Sequence, residues 1–374
     1  MRKSKRYVAK HARKLNKPSP FARIGEWFGS FMSRPIGKYV AATLAATVAE
    51  AILVVFLLYG PIPFFRELII TSAMTTLSHQ YYATTFYSDE TIQKVMDKNK
   101  VIDPTIITDT NSINTPGQKQ NEINVKTITG SGYRGYVMEI TDPSWVRLGI
   151  PQNFGTKGQK IPRLIEDYGA VAGINAGGFG DANGWGNGGR AIGLVIVDGV
   201  MIQKPEPYST HVNIVGFNKD DVLVLGRYKK SEVDSLNLRD ACEFTPFLII
   251  NGEPTEIKGN GGWGVAPRTA IGQRKDGSVV FVVIDGRSIT SAGATMKQLQ
   301  QVLIEEECYN AANLDGGSST VLYYTEEGGV MNNPSGSDSD GMRFLPNAWL
   351  VIDPEGYEPP TDRPPYDGSI EEDE

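Results

Sequence analysis

An unbroken apolar segment near the N-terminus constrains this chain more than any other feature. Residues 40–59 read VAATLAATVAEAILVVFLLY, which is twenty residues with a single charge, Glu50. As a helix, this segment is long enough to cross the hydrocarbon core of a bilayer, about 30 Å thick. A cleaved signal peptide is the alternative, but the apolar run is long and the sequence at 57–60, LLYG, lacks a small-residue cleavage site. We therefore predict a transmembrane anchor at residues 40–60.

The charge on either side of this segment predicts its orientation. Residues 1–39 carry eleven Lys or Arg and one acid, Glu26. Basic residues concentrate on the cytoplasmic side of a span, so we expect a single-pass protein of the cell membrane with a cytoplasmic N-terminus and an extracellular remainder. A basic N-terminal arm can also bind nucleic acid, but the apolar segment that follows favours a membrane. No nucleic-acid partner is expected.

Glu50 lies near the middle of the predicted span. A carboxyl group at that depth costs several kcal/mol unless it is neutral or finds a partner. Two interpretations stay open: the bilayer tolerates a neutral glutamic acid there, or Glu50 contacts a partner membrane protein.

The rest of the chain divides by composition. Residues 61–123 predict a stalk and linker, since Pro61 and Pro63 break the helix and residues 103–122 are rich in Thr, Asn, Pro and Gln. Within the stalk, Ser88 followed by two acids predicts a helix start. The main domain is expected at 124–352. Residues 353–374 carry nine acids and five prolines, which predicts an acidic disordered tail.

Short apolar runs dominate the main domain and predict strands. These runs lie at 136–140, 171–174, 194–202, 212–217, 222–225, 247–250, 279–284, 321–324 and 348–352. Asp198-Gly199 and Asn251-Gly252 predict hairpin turns. One helix is expected from Met296 to about Glu307, with a capping box at Thr295 and Gln298. The fold class is therefore α+β, a mixed, largely antiparallel sheet with a few packed helices.

The segment 313–320, NLDGGSST, is the first candidate for chemistry. It sets the carboxylate of Asp315 and the hydroxyls of Ser318 and Ser319 around a glycine pair, directly before a predicted strand. Glycines allow the backbone to approach a ligand and expose N–H groups that suit anions. The same residues also read as an ordinary hairpin turn, so the motif alone is ambiguous.

Three further motifs elsewhere in the chain help to interpret the segment 313–320. They are GINAGGF at 173–179, APRTAIG at 266–272 and VVIDGR at 282–287. In this order and spacing, the four motifs resemble the phosphodiester glycosidase family over roughly residues 125–352. The N-terminal anchor is similar instead to that of bacterial membrane proteins labelled as exopolysaccharide biosynthesis proteins. The resemblance implies hydrolysis of a sugar 1-phosphodiester in a glycan of the cell envelope.

Such a reaction needs cations and N–H donors for the phosphate, and a carboxylate at the anomeric carbon. Arg268 and Arg287 are the expected phosphate ligands, since guanidinium binds phosphate in a bidentate manner. Thr269, Ser318 and Ser319 would add hydroxyl donors. Asp285, at the end of a predicted strand, and Asp315 are the candidate catalytic carboxylates.

The sugar is expected to bind glycine-rich segments that carry amide and aromatic groups. The candidates are Asn175, Gly177, Gly178, Trp185 and Trp263. The three histidines are scattered and the two cysteines, Cys242 and Cys308, form no metal-ligand pattern. No cofactor is therefore expected, although a divalent metal stays open, as does a disulfide between the two cysteines.

Two alternatives compete with the hydrolase. One is a non-catalytic protein that binds phosphorylated glycans or scaffolds envelope polysaccharide assembly. The other is a metal-dependent phosphodiesterase, which would break the P–O bond and not the sugar C–O bond. A phosphorylated glycan is the expected partner in the first two interpretations.

Overall fold

The computed structural model describes residues 19–76, 79–115, 122–180 and 186–358. These belong to two compact units, Met1–Arg66 and Glu67–Glu374. The beginning of the predicted basic segment, residues 1–18, and most of the predicted acidic tail, residues 359–374, lie outside the described residues.

The first unit contains two helices, α1 (Pro20–Ser33) and α2 (Pro35–Tyr59). Helix α2 includes the apolar run and, at 25 residues, is about 37 Å long. Its Thr43 and Thr47 hydroxyls donate to the carbonyls of Tyr39 and Thr43, four residues earlier, at 3.0 and 3.1 Å. Such bonds satisfy polar groups inside an apolar helix. Length and composition make α2 a candidate membrane span, a test that a signal sequence near the N-terminus also passes.

The second unit combines short helices with many short strands. Its helices are α3 (Pro63–Met74, which begins in the first unit), α4 (Tyr81–Thr84), α5 (Asp89–Lys98), α6 (Ile161–Tyr168) and α7 (Met296–Glu305). Its strands are β1 (Lys100–Val101), β2 (Ile123–Gly130), β3 (Tyr133–Ile140), β4 (Val146–Gly149), β5 (Ala172–Asn175), β6 (Val195–Val197), β7 (Val200–Gln203), β8 (His211–Asn218), β9 (Leu223–Lys229), β10 (Leu238–Glu243), β11 (Phe247–Ile250), β12 (Glu253–Pro254), β13 (Ile257–Lys258), β14 (Arg268–Gln273), β15 (Val279–Ile284), β16 (Asn310–Asn313), β17 (Leu322–Tyr324), β18 (Gly329–Val330) and β19 (Ala348–Val351).

The strands form three larger sheets and one small ribbon. The largest sheet has the order β12-β11-β16-β14-β15-β3-β2. The second has the order β18-β17-β5-β19-β4, the third the order β7-β6-β10-β8-β9, and β1 pairs with β13 alone. Every strand pair between the described residues is antiparallel, which confirms the predicted α+β class.

The main hydrophobic core lies where the three sheets face one another. Phe281 and Ile271 come from the first sheet, Trp349 from the second and Phe217 from the third. The ring centroids of Phe217 and Trp349 are 5.6 Å apart in an edge-to-face arrangement. The opposite face of the first sheet packs against α7 through Leu299 and Leu303, so this sheet is buried on both faces. That burial explains why β15 is a continuous apolar run.

Several local predictions are confirmed. Asp198 and Gly199 join β6 to β7 with φ of 51° and 78°, and Asn251 and Gly252 join β11 to β12 with φ of 56° and 80°. These left-handed values are those of the predicted hairpin turns. Helix α7 begins at Met296 with the expected capping box, in which Gln298 N–H donates to Thr295 Oγ1 at 3.2 Å.

The two cysteines and the segment before the main domain add two observations. Cys242 and Cys308 are both buried free thiols. Residues 79–115, predicted as stalk and linker, lie in the same compact unit as the main domain, and β1 pairs with β13 in that domain. The predicted domain boundary near residue 124 stays a prediction.

Candidate active site

The candidate motifs follow or precede strands that meet at one edge of the largest sheet. Arg268, the first residue of β14, pairs with Ile284, the last residue of β15. Two residues along β14, Ala270 pairs with Asn313, the last residue of β16. Because neighbouring antiparallel strands lie about 5 Å apart, the segments that begin at Asp285 and Leu314 start beside Arg268.

The glycine pair of the 315–319 turn lies directly on the strand that carries Arg268. Gly317 N–H donates to Pro267 O at 2.9 Å, and Leu314 N–H donates to Thr269 O at 2.8 Å. A Cβ on Gly316 would lie 2.9 Å from Pro267 O, which is closer than real side chains approach. Glycine is therefore required at 316 by this backbone contact.

Asn175 joins the second sheet to this edge of the first. Its Oδ1 accepts hydrogen bonds from Thr269 Oγ1 at 2.8 Å and from Val321 N–H at 3.2 Å. Its Nδ2 donates to Asp315 O, and Asp315 N–H donates to Ala176 O at 3.0 Å. Buried polar groups are normally satisfied in this way. The structure thus gives Asn175 and Thr269 a role in assembling the site, while their predicted roles as sugar and phosphate ligands stay predictions.

Arg268 is a buried cation held by neutral carbonyl groups. Only 3% of the residue is exposed. Its Nε donates to Ala294 O at 2.9 Å, and its Nη2 donates to Trp263 O and Gly264 O at 2.6 and 2.9 Å. Burial lowers its pKa to about 9, and the charge of Arg287 contributes to the decrease. Carbonyls orient the guanidinium but do not neutralise it.

Arg287 adds a second guanidinium near the first. A Cβ on Gly317 would lie 3.0 Å from Arg287 Nη2, so this group lies against the glycine turn. Arg287 is exposed as a residue, yet the protein around its guanidinium lowers its pKa by desolvation. Across the described ranges, neither arginine forms an ion pair with a carboxylate. Two cations that have no ion-paired carboxylate in the described part of the chain form a site that an anion would stabilise.

Asp285 is buried, with 4% of the residue exposed, and its backbone is fixed on both sides. Its N–H donates to Arg134 O at 3.0 Å, and its carbonyl accepts from Ser291 Oγ at 2.6 Å. One carboxylate oxygen, Oδ1, accepts from Asn333 N–H at 2.7 Å. Within the described part of the chain, Oδ2 has no hydrogen-bond donor, so one oxygen of an oriented carboxylate is available for chemistry.

The serines of the turn occupy a short 3₁₀ turn, Gly317–Ser319. Ser319 is 3% exposed, and among the described residues its hydroxyl has no hydrogen-bond partner. Ser318 is half-buried. Their predicted contact with phosphate stays a prediction. Both follow Gly317 in the chain, and the guanidinium of Arg287 lies against Gly317.

Two of the residues predicted for sugar binding, Gly177 and Gly178, follow Asn175 closely in the chain. Gly177 N–H donates to Asn347 Oδ1 at 2.7 Å. A Cβ on Gly178 would lie 3.1 Å from Phe244, whose ring centroid is 6.3 Å from that of Trp263. Gly178 and Trp263 are therefore linked through Phe244. Trp185, the remaining candidate, lies outside the described residues.

Sequence reasoning missed three contributors to this site. Phe244, Asn333 and Ala294 carry no motif, and the last two act through backbone N–H and C=O groups that every residue has. Phe244 had a weak signal, an aromatic residue two positions before Pro246. Among the described residues, no group of three His, Cys, Asp or Glu side chains is arranged to hold a metal ion.

The fold and site define an antiparallel α+β domain in which two arginines and two aspartates lie at or just beyond the ends of neighbouring strands. A family model described as phosphodiester glycosidase matches residues 168–352. Residues 168–352 therefore form a domain of the phosphodiester glycosidase family.

Curated proteins and a solved structure are also similar to this chain. An uncharacterized SPbeta prophage-derived protein of Bacillus subtilis, YomE, is 33% identical over 166 residues, covering 41% of this chain and 25% of that protein. The N-acetylglucosamine-1-phosphodiester alpha-N-acetylglucosaminidase of mouse is 24% identical over 244 residues, covering 59% of this chain. The chain spans 45% of the mouse enzyme's length.

The solved catalytic domain of zebrafish N-acetylglucosamine-1-phosphodiester alpha-N-acetylglucosaminidase superposes with a TM-score of 0.52 at 19% identity. The match covers 65% of this chain and 87% of that one, and it shows a shared fold.

Proposed function

We propose that this protein is an extracytoplasmic hydrolase that cleaves a sugar 1-phosphodiester, similar to a GlcNAc-1-phosphodiester, in a cell-surface glycan or its precursor. The observation that carries the proposal is a pair of guanidinium groups, those of Arg268 and Arg287. Neither has a carboxylate partner within the described ranges, and both lie at the edge that also holds Asp285 and Asp315. Family membership and the name of the mouse relative support the reaction class.

The leaving group explains why arginines dominate such a site. In this reaction the bond between the anomeric carbon and the phosphate oxygen breaks, and water supplies the new hydroxyl. The departing phosphate monoester has a second pKa near 6, so it leaves as an anion without strong acid assistance. Arg268 and Arg287 would stabilise the charge that builds up on it.

The carboxylates act at the other end of the breaking bond. The anomeric carbon becomes cationic as the phosphate leaves, and a carboxylate stabilises it, attacks it or activates water. Asp285 is oriented by Asn333 through one oxygen and keeps the other available, which suits any of these roles. Asp315, whose backbone is held by Asn175 and Ala176, is the second candidate.

The proposed location rests on α2 and on the basic residues before it. An excess of Lys and Arg ahead of a span favours a cytoplasmic N-terminus, and with that orientation the chain after the span would be extracellular. A glycan of the cell surface would be accessible there.

The direct test uses the full chain in detergent and a panel of sugar 1-phosphodiesters that includes a GlcNAc-1-phosphodiester. We expect release of free sugar by the wild type, and at least a hundredfold loss of kcat in Asp285→Asn, because a catalytic carboxylate contributes on that order. Phosphate affinity should persist in Asp285→Asn. If the wild type binds these compounds without turnover, the protein is a binding module and the hydrolase proposal is wrong.

A further inference from the structure

A glycine-rich loop, residues 259–264, connects Arg268 to the part of the chain that precedes the main domain. The loop follows β13, whose Lys258 pairs with Lys100 of β1. Helix α5 ends immediately before β1, and Asn99 lies between them. The residues that lead into β1 therefore lie beside the start of this loop.

Asn260 connects the loop to this preceding segment through two hydrogen bonds and makes a third within the loop. Its backbone N–H donates to Asn99 Oδ1 at 3.0 Å, and its side-chain Nδ2 donates to Thr71 Oγ1 of α3 at 2.9 Å. Its Oδ1 accepts from Gly262 N–H at 2.8 Å, which fixes the loop's own curvature. Thr71 is completely buried and Asn99 is 2% exposed. Because water does not reach these buried groups easily, loss of either hydrogen bond would leave a polar group without a partner, which costs free energy.

The loop and the preceding segment are also in close steric contact. A Cβ on Gly259 or Gly262 would overlap Asn99, and a Cβ on Gly264 would overlap Ser72. All three glycines have φ between 56° and 78°. Glycine is therefore needed at these positions for the loop to pack against α3 and Asn99, although glycine loses more conformational entropy than other residues on ordering.

Arg268 donates two of its three side-chain hydrogen bonds to this same loop, to the carbonyls of Trp263 and Gly264. A glycine-rich loop without external partners would leave those carbonyls mobile, and the guanidinium with them. A continuous set of contacts therefore leads from Thr71 and Asn99 through Asn260 to the candidate phosphate ligand.

We propose that Thr71 and Asn99 are positioning residues of the phosphate site, which act on Arg268 through Asn260 and the 259–264 loop. The inference rests on the proposed function of Arg268 as a phosphate ligand. It assigns to the segment before the main domain a share in substrate binding. Positioning of this kind increases affinity because the Arg268 side chain is already ordered before the substrate binds.

The test measures the affinity of the full chain, in detergent, for inorganic phosphate, with sodium chloride at equal ionic strength as the reference. Thr71→Val keeps the shape of the side chain and removes the hydroxyl, and we expect roughly five- to tenfold weaker binding, the equivalent of one lost hydrogen bond. Thr71→Ser keeps the hydroxyl and should bind as the wild type does. Lys98→Met removes an exposed ion pair with Glu67 in the same segment, so it is the matched control.

Asn260→Ala provides a second variant, which decides the matter if Thr71→Val does not fold. Weaker phosphate binding in both, with wild-type affinity in Thr71→Ser and Lys98→Met, supports the inference. Undiminished binding in folded Thr71→Val or Asn260→Ala overturns it and leaves the phosphate site intact. Absence of phosphate binding by the wild type refutes the phosphate site itself, and this inference with it.

Discussion

The guanidinium of Arg287 lies so close to Gly317 that a Cβ on this glycine would be 3.0 Å from Nη2. Gly317 also has φ of +60°, which disfavours any other residue. We predict that Gly317→Ala destabilises the protein by about 1 kcal/mol and weakens phosphate binding, because Arg287 must move. Gly328→Ala is the matched control: φ is +85° there and no atom lies within 4 Å of the added Cβ. Equal phosphate affinity in the two variants would contradict the placement of Arg287.

Replacement of Arg287 should separate stability from binding. The guanidinium is desolvated, lies near the charge of Arg268 and has no carboxylate partner in the described part of the chain. Arg287→Met removes that repulsion, so the free energy of unfolding without phosphate should stay constant or rise. Phosphate affinity should fall by about tenfold or more, since a charge-assisted contact is lost. Chemical denaturation with and without phosphate measures both effects, and a large loss of stability without phosphate would contradict the account.

The Asn175 contact should be sensitive to loss of a single hydroxyl. Thr269 Oγ1 donates to Asn175 Oδ1 at 2.8 Å, and both residues are buried. Thr269→Val leaves that oxygen with one donor fewer, so we expect a decrease of about 1–3 kcal/mol in the free energy of unfolding. Thr269→Ser keeps the donor and should retain most of the stability. If Thr269→Val and Thr269→Ser lower the free energy of unfolding by the same amount, the hydroxyl contact does not contribute to stability.

Binding of phosphate should stabilise the wild type against heat. In the absence of an anion, burial disfavours the charged forms of Arg268 and Arg287. An anion bound between them favours those charged forms. Ligand that binds only the folded state raises its stability by mass action, about 2.7 kcal/mol at a hundred times Kd. We expect Tm to rise with phosphate concentration but not with chloride. An identical response to both salts would indicate non-specific screening.

The sequence predicted the parts of this fold whose signals are local. The six apolar residues of β15 are recognisable because both faces of that strand are buried. The turns at Asp198 and Asn251 follow from the pairs Asp198-Gly199 and Asn251-Gly252. Strand β16 was missed because it is only four residues long and has Asn at each end. Helix α6 was missed because it is short and carries a proline at its second position.

The site was predictable to the extent that its members are charged or glycine-rich. Asp285 and Arg287 follow a predicted strand, and Asp315 belongs to a glycine-rich turn that precedes one. The sheet brings these segments close to Arg268. The alignment of three strands in space, the backbone donor at Asn333 and the backbone acceptor at Ala294 were not predictable. Register between distant strands depends on the packing of the whole sheet, and backbone groups have no sequence signature.

The position of bond cleavage tests the central claim most directly. The full chain is incubated with a GlcNAc-1-phosphodiester in isotopically labelled water, and the products are separated and analysed by mass spectrometry. Attack at the anomeric carbon, with phosphate as the leaving group held by Arg268 and Arg287, predicts label in the free sugar and none in the phosphate monoester. Label in the phosphate would mean P–O cleavage, and it would contradict the roles assigned to Asp285 and Asp315.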